Sequence, residues 1–343
     1  MKKRICITLA AVILVCLVLS FAQMLVMPKY IDNPEGALIA EYYGEAGNHD
    51  VIFVGDCEVY ESFVPAVLWQ EYGIRSYVRG SAQQLVWQSY YLLEETFRYE
   101  KPKAVVYNVL ALKYGAPQNE AFNRMTLDGM KWSREKIQAI KASMTEDENF
   151  LDYLFPLLRY HSRITELTAE DWRYLFSSPK VSDSGYLMQT AIRPRWEEPE
   201  AGRGLTVSES ILPETAMDYL DRMRLLCAEN GSELILVKAP TQSWGYWWYD
   251  EWDDQICDYA NQNGLSYYNF IPECDKIGID WTTDTYDEGV HLNVYGAEKL
   301  TRYFGKILRN SHGLSDYRTD PGSVETWTPR VEQYEKRKEE KTS

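Results

Sequence analysis

The sequence predicts an α/β domain with a parallel central sheet covered by helices on both faces. Three observations predict it. Short apolar runs of strand length recur along the chain, and several end on glycine or a polar residue. Amphipathic stretches of helical length lie between them. The spacing from run to run leaves room for a helical crossover each time, which parallel strands require.

The elements follow in order. Residues 50–55, Asp-Val-Ile-Phe-Val-Gly, form a buried strand. Residues 65–72 are helical, with Pro65 in the first turn, where its missing N–H costs nothing. Residues 75–80 are a second strand ending at Gly80, and residues 84–99 a long helix rich in Leu and aromatics. Residues 103–109 are a third strand. Residues 214–230 are a helix closed by Gly231, and residues 233–240 a fourth strand. A helix at 250–263, stopped by Gly264, leads to a fifth strand at 265–270. The last helix of the domain is expected at 294–309.

Between residues 111 and 212 the alternation stops. This stretch reads as an insertion with helices at 133–143 and 148–158 and acid-rich loops around 197–204, covering one side of the sheet's mouth. It shows no exposed apolar pattern of a lid, which argues against an exported lipase. Residues 311–343 lack apolar periodicity and close on a charged run, so a solvated or disordered tail is expected.

The N-terminus stands outside the domain. Lys2, Lys3 and Arg4 precede a run from residue 5 to 27 without a charged side chain. That is long enough to cross a bilayer once, and the leading positive charge orients the rest of the chain outward. Ser20-Phe21-Ala22 resembles a cleavage site, which makes a secreted product the alternative. The apolar run continues to Met27, which favours a retained anchor over residues 1–28 in the plasma membrane. Val15 before Cys16 does not suit a lipoprotein signal.

The formal charge of −15 over 343 residues excludes a nucleic-acid footprint. Of six cysteines, Cys6 and Cys16 lie in the apolar run. Cys227, Cys257 and Cys274 leave room for one disulfide, or for buried thiols acting as small hydrophobes. No spacing matches a metal site, and no cofactor is expected.

Two motifs carry the chemistry. Cys57 follows the first strand in Val-Gly-Asp-Cys-Glu, and Asp287-Glu-Gly-Val-His-Leu-Asn ends at Asn293 ahead of the last helix. A nucleophile, a base and an acid that orients the base are what acyl transfer needs. In parallel sheets ligands bind at the carboxyl ends of strands, where Cys57, Gly80 and Asn108 fall.

Taken together, Gly55-Asp-Cys-Glu-Val-Tyr60, Gly80, Asn108 and His291-Leu-Asn-Val-Tyr-Gly-Ala297 resemble the SGNH (GDSL-type) hydrolase family. The resemblance covers roughly residues 45–110 and 213–310 and leaves the insertion outside. It implies a flavodoxin-like three-layer sandwich over residues 45–310. It puts Cys57 in the place of the family's serine and makes His291 the base. The acid is Asp287, Glu288 or Asp284; the Tyr-Asp-x-Gly turn favours Asp287. The oxyanion hole comprises the N–H groups of Cys57 and Gly80 and the side chain of Asn108, with Gln83 or Gln84 as substitute donors.

Cys57 has three readings: a thiolate nucleophile opposed by its acidic neighbours, a silent descendant, or a packed thiol. Around it, Lys238 meets either an anionic substrate or a neighbouring acid. The aromatic run from Trp244 suits sugar stacking or plain packing, and His161 is a candidate to line the pocket from the insertion. The exported relatives so resembled handle acyl groups on extracellular polymers. The expected function is therefore an esterase or O-acyltransferase acting on acetyl-like esters of a cell-envelope glycan. The alternative is a catalytically silent carbohydrate-binding or scaffold protein that partners a membrane-bound O-acyltransferase.

Overall fold

A computed structural model describes residues 2–28, 37–177, 180–195, 205–243 and 246–343. The expected acid-rich loop at 197–204 and Trp244 lie outside the described residues.

Five parallel strands form one sheet: β1 (Val51–Gly55), β2 (Ser76–Gly80), β3 (Ala104–Asn108), β4 (Glu233–Lys238) and β5 (Ser266–Asn269). Their order is β2-β1-β3-β4-β5, the flavodoxin-like winding, whose direction reverses between β1 and β3. Residues of β1 to β3 are buried throughout, as strands covered on both faces must be.

Alternate side chains of β1 feed two cores. Val51 and Phe53 face one layer, where Phe53 stacks on Phe63 with centroids 4.6 Å apart. That layer holds helices at Pro65–Tyr72 and Val294–Ser311. Ile52 and Val54 face the other, with helices at Val86–Tyr99, Glu214–Glu229 and Asp250–Asn263. Each large apolar side chain fully buried this way contributes about 1.5–3 kcal/mol.

The insertion is not confined to the mouth of the sheet. The helix Arg134–Ser143 packs on Val86–Tyr99. The expected helix at 148–158 is two, Phe150–Leu154 and Pro156–Tyr160, because Pro156 cannot continue the first. The chain then passes the β2 edge, where Val78 N–H donates to the Ser184 carbonyl (3.0 Å), and Tyr186 and Met188 enter the first core. Helices this short bury few of their apolar residues. Leu158 and Phe176 are 54% and 83% exposed, so the expectation of an insertion without exposed apolar surface is corrected.

The expectation of a disordered tail is corrected too. Residues Pro321–Thr342 form a helix capped by Asp320, whose carboxylate accepts from the Ser323 N–H (2.9 Å). Trp327 stacks on Trp69 (5.6 Å, 20°), and the buried Tyr334 donates to Glu298 (2.6 Å). Trp327, Val331 and Tyr334 recur at helical spacing among the charges, a stripe masked by the composition around it.

At the other end, a helix spans Lys2–Val26. It is long and apolar enough to cross a membrane, and its apolar window is unburied.

Candidate active site

The strand β1 ends in a turn that only glycine fits. Gly55 has φ +152°, and a Cβ there would stand 2.6 Å from the Val59 side chain. The turn leads into a short helix, Cys57–Tyr60, with Asp56 as its N-cap accepting from the Glu58 N–H (3.2 Å). Cys57 therefore occupies the first helical position, where the N–H has no intrahelical partner. Gly80 lies beside it in register with Gly55. A Cβ on Gly80 would press within 3.1 Å of the Gly55 carbonyl.

His291 arrives from the loop before the last helix of the domain. Asn293 fixes that loop, accepting from the N–H groups of Tyr295 (3.0 Å) and Gly296 (3.3 Å) and donating to the Thr283 carbonyl (2.8 Å). Of the three candidate acids, Asp287 is the one against the imidazole. Its carboxylate is 2.7 Å from Nδ1 and also accepts from the His291 N–H (2.8 Å). Glu288 is exposed, and its backbone meets Arg193 and Arg195. Asp284 is buried and bound to Lys299 Nζ (2.6 Å). Cys57 and His291 interact electrostatically, and Nε2, the ring nitrogen away from Asp287, is buried without a hydrogen-bond partner among the described residues.

Three further groups complete the surroundings: Glu61, which the sequence did not single out, Tyr286 of the Tyr-Asp-x-Gly turn, and Tyr246 of the aromatic run. Glu61 brings a second carboxylate to 3.5 Å from Nδ1. Tyr286 lies parallel to the imidazole at 6.0 Å and donates to Glu61 (2.8 Å). Tyr246 sets its ring edge-on to His291 at 4.9 Å, and its hydroxyl is 3.3 Å from Cys57 Sγ. The only sequence signal for Glu61 was its place just after the Cys57 motif.

The electrostatics follow from burial. Desolvation pushes the Cys57 thiol above its ordinary value, and the pull of His291 does not offset it. Burial disfavours the charged imidazole, but Cys57, Glu61 and the Asp287 hydrogen bond outweigh it. His291 is held well above the ordinary histidine value.

Beneath the thiol lies a buried polar floor. Lys238 Nζ donates to both Glu58 oxygens (2.7 and 2.9 Å) and to the Ala239 carbonyl (2.8 Å). Asn108 donates to Glu58 (2.8 Å) and Asp56 (3.2 Å) and accepts from the Ala239 N–H (3.0 Å). Burial and the neighbouring Glu58 push Asp56 up to about 7.

This arrangement redistributes several expected roles. The Asn108 amide, an expected oxyanion donor, is committed to two carboxylates. Lys238 pairs with the neighbouring acid, one of its two readings. Gln84 is buried and donates to Ser89 (2.9 Å), bracing the start of the helix Val86–Tyr99. Gln83 has a left-handed backbone, φ +50°, in the loop after β2. His161 is exposed, with Nδ1 on the Leu158 carbonyl (3.0 Å). Of the aromatic run, Trp248 and Trp252 pack in the core.

Among the described residues no cluster of three or more His, Cys, Asp or Glu is placed to hold a metal. Cys227, Cys257 and Cys274 are free thiols.

His291, held by Asp287 and interacting with Cys57, thus meets the thiol at the carboxyl end of β1, beside the switch point of the sheet. This geometry permits proton transfer from a thiol to an imidazole held by a carboxylate. No family model matches the chain, and no characterised protein matches it significantly.

Proposed function

We propose that this chain is an SGNH-type esterase or O-acyltransferase with Cys57 as nucleophile. It is held at the plasma membrane by the Lys2–Val26 helix, with its domain outside the cytoplasm. The observation that carries this is the Asp287–His291 contact of 2.7 Å on an imidazole that also interacts with Cys57.

The chemistry runs in two halves. Cys57 Sγ attacks the ester carbonyl while its proton passes to His291 Nε2. The tetrahedral oxyanion collapses to a thioester, and the alcohol leaves with the proton from the imidazolium. Water or a sugar hydroxyl then attacks the thioester, giving its proton to His291; the carbon–sulfur bond breaks, and the Cys57 sulfur takes that proton back from the imidazolium as the acyl group leaves. Asp287 keeps Nδ1 protonated and the ring oriented throughout. The N–H of Cys57, and that of Gly80 beside it, suit the oxyanion; such donors contribute about 10²–10³ in rate each. Asn108 has no free amide hydrogen direction to add while Glu58 and Asp56 hold it. The acyl esters of a cell-envelope glycan are the substrate class proposed, from the resemblance and the anchor.

A second reading is a silent carbohydrate-binding or scaffold protein beside a membrane-bound O-acyltransferase. The engaged Asn108 and the raised thiol favour it. One experiment separates the two. Release of p-nitrophenol from p-nitrophenyl acetate is followed for wild type, Cys57→Ala, Cys57→Ser and His291→Ala. A burst lost in both alanine variants supports the nucleophile. Glycan binding that persists in Cys57→Ala, with no turnover by any of the four, supports the scaffold.

A further inference from the structure

The insertion packs on the end of the N-terminal helix and turns apolar side chains outward beside it. Three of its short elements, Pro156–Tyr160, His161–Thr165 and Ala169–Tyr174, touch the Lys2–Val26 helix. Arg163 Nη1 donates to the Val26 carbonyl (2.7 Å), satisfying a backbone acceptor that the helix end leaves open. The rings of Phe21 and Trp172 are 6.1 Å apart, and Leu25 and Val26 are buried. The last turns of the apolar helix are therefore fixed to the insertion, while its earlier turns are exposed all round.

Length sets the depth of this contact. A helix rises about 1.5 Å per residue, and a bilayer core is about 30 Å thick. About twenty residues from Arg4 exhaust that core near Met24. Phe21 to Val26 then lie at the boundary between acyl chains and headgroups, and so does what packs on them. Around that contact Leu154, Phe155, Leu158, Ile164, Trp172 and Phe176 are exposed. Left in water, an apolar side chain of this size forgoes about 1.5–3 kcal/mol of burial. The bilayer surface beside the anchor is the apolar phase within reach.

We propose that the segment from Phe150 to Phe176 is a lipid-seated platform. It dips its apolar side chains into the membrane at the leaflet where the anchor ends and fixes the orientation of the domain on the bilayer. The inference rests on reading the Lys2–Val26 helix as a retained anchor, not on the proposed chemistry. With a chain charge of −15, the seating is apolar rather than electrostatic, so anionic lipid is not required.

The test uses the full chain in phosphatidylcholine vesicles, with and without phosphatidylglycerol. Photoreactive benzoylphenylalanine replaces Leu158 or Phe176, both well exposed, so the fold is not at stake. A control places it at Lys306, exposed on the helix Val294–Ser311 of the opposite layer. Expected are phospholipid adducts several-fold more abundant at 158 and 176 than at 306, in both vesicle types. A full-length chain without that excess overturns the platform alone. Adducts in cells to another protein, with none to lipid, overturn it in favour of a protein partner. Intact mass of the mature chain checks the premise: loss of the residues up to Ala22 overturns anchor and platform together.

Discussion

Glu61 shares the Nδ1 of His291 with Asp287, its carboxylate 3.5 Å away against 2.7 Å for the aspartate. With Cys57, these two carboxylates outweigh burial, stabilise the imidazolium and raise the pH at which His291 becomes a free base. If His291 acts as base, activity rises with pH through that raised value. Glu61→Gln should therefore move the acid limb of the kcat/KM profile to lower pH, towards the ordinary histidine value. Asp287→Asn should move it the same way and also lower kcat, because it releases the ring. A pH–rate profile of the three proteins checks this; an unmoved acid limb in Glu61→Gln would remove His291 as the titrating base.

Tyr246 covers the thiol with its hydroxyl 3.3 Å from Sγ. Cys57 is 6% exposed, and its thiol titrates above the ordinary value. Thiolate is the reactive form, so alkylation by iodoacetamide should be slow at pH 7 and climb into the alkaline range. Tyr246→Ala should speed it about tenfold or more, the effect of ~1.4 kcal/mol off a barrier. Peptide mass spectrometry of Cys57 against the partly exposed Cys257 gives both rates. Equal rates in wild type and variant would mean that Tyr246 guards nothing.

Much of this arrangement was legible in the chain. The strand boundaries of β1 to β5 fall within a residue or two of the expected ones, because glycines and polar residues punctuate buried apolar runs. The Asp287–His291 contact was favoured from the Tyr-Asp-x-Gly turn. Tyr246 and Glu61 were not legible as partners of His291, since one is 45 residues away and the other sits on a different strand's turn. The role of Asn108 was misread for a related reason. Its position at the end of β3 was clear, but the acceptor that captures its amide, Glu58, is buried only because Lys238 of β4 reaches it. The tail was missed because its stripe of Trp327, Val331 and Tyr334 is set among charged neighbours that suggest solvent.

That tail makes a prediction of its own. Trp327 is buried against Trp69, and truncating a buried Trp to Ala costs about 3–5 kcal/mol. Trp327→Ala should lower the urea midpoint of the detergent-solubilised protein accordingly. A solvated tail would leave the midpoint unchanged.

The ion pair of Glu58 with Lys238 is sealed from solvent, at 1% and 0% side-chain exposure. Removing one partner of such a pair strands a charge and costs about 3–5 kcal/mol, whereas removing both costs less. Lys238→Met should be destabilised by that order in urea unfolding. Glu58→Gln with Lys238→Met should regain part of it, because glutamine still accepts from Asn108.

Asp56 gives the domain a stability that falls as pH rises. Its folded pKa, about 7, lies above the ordinary aspartate value of 3.8, with burial and then Glu58 as the causes. Between these values the folded chain binds more protons than the unfolded one, so this group's contribution is fully present below about 4 and is lost as pH climbs towards 7. At 1.36 kcal/mol per unit the loss is on the order of 4 kcal/mol. Asp56→Asn keeps a side-chain oxygen for the Glu58 N–H and Asn108 while removing the ionisation. Its stability relative to wild type should therefore grow between pH 5 and pH 8. Urea unfolding at the two pH values measures the difference, and a variant whose advantage shrinks with pH would show that Asp56 is ionised in the folded chain at little cost.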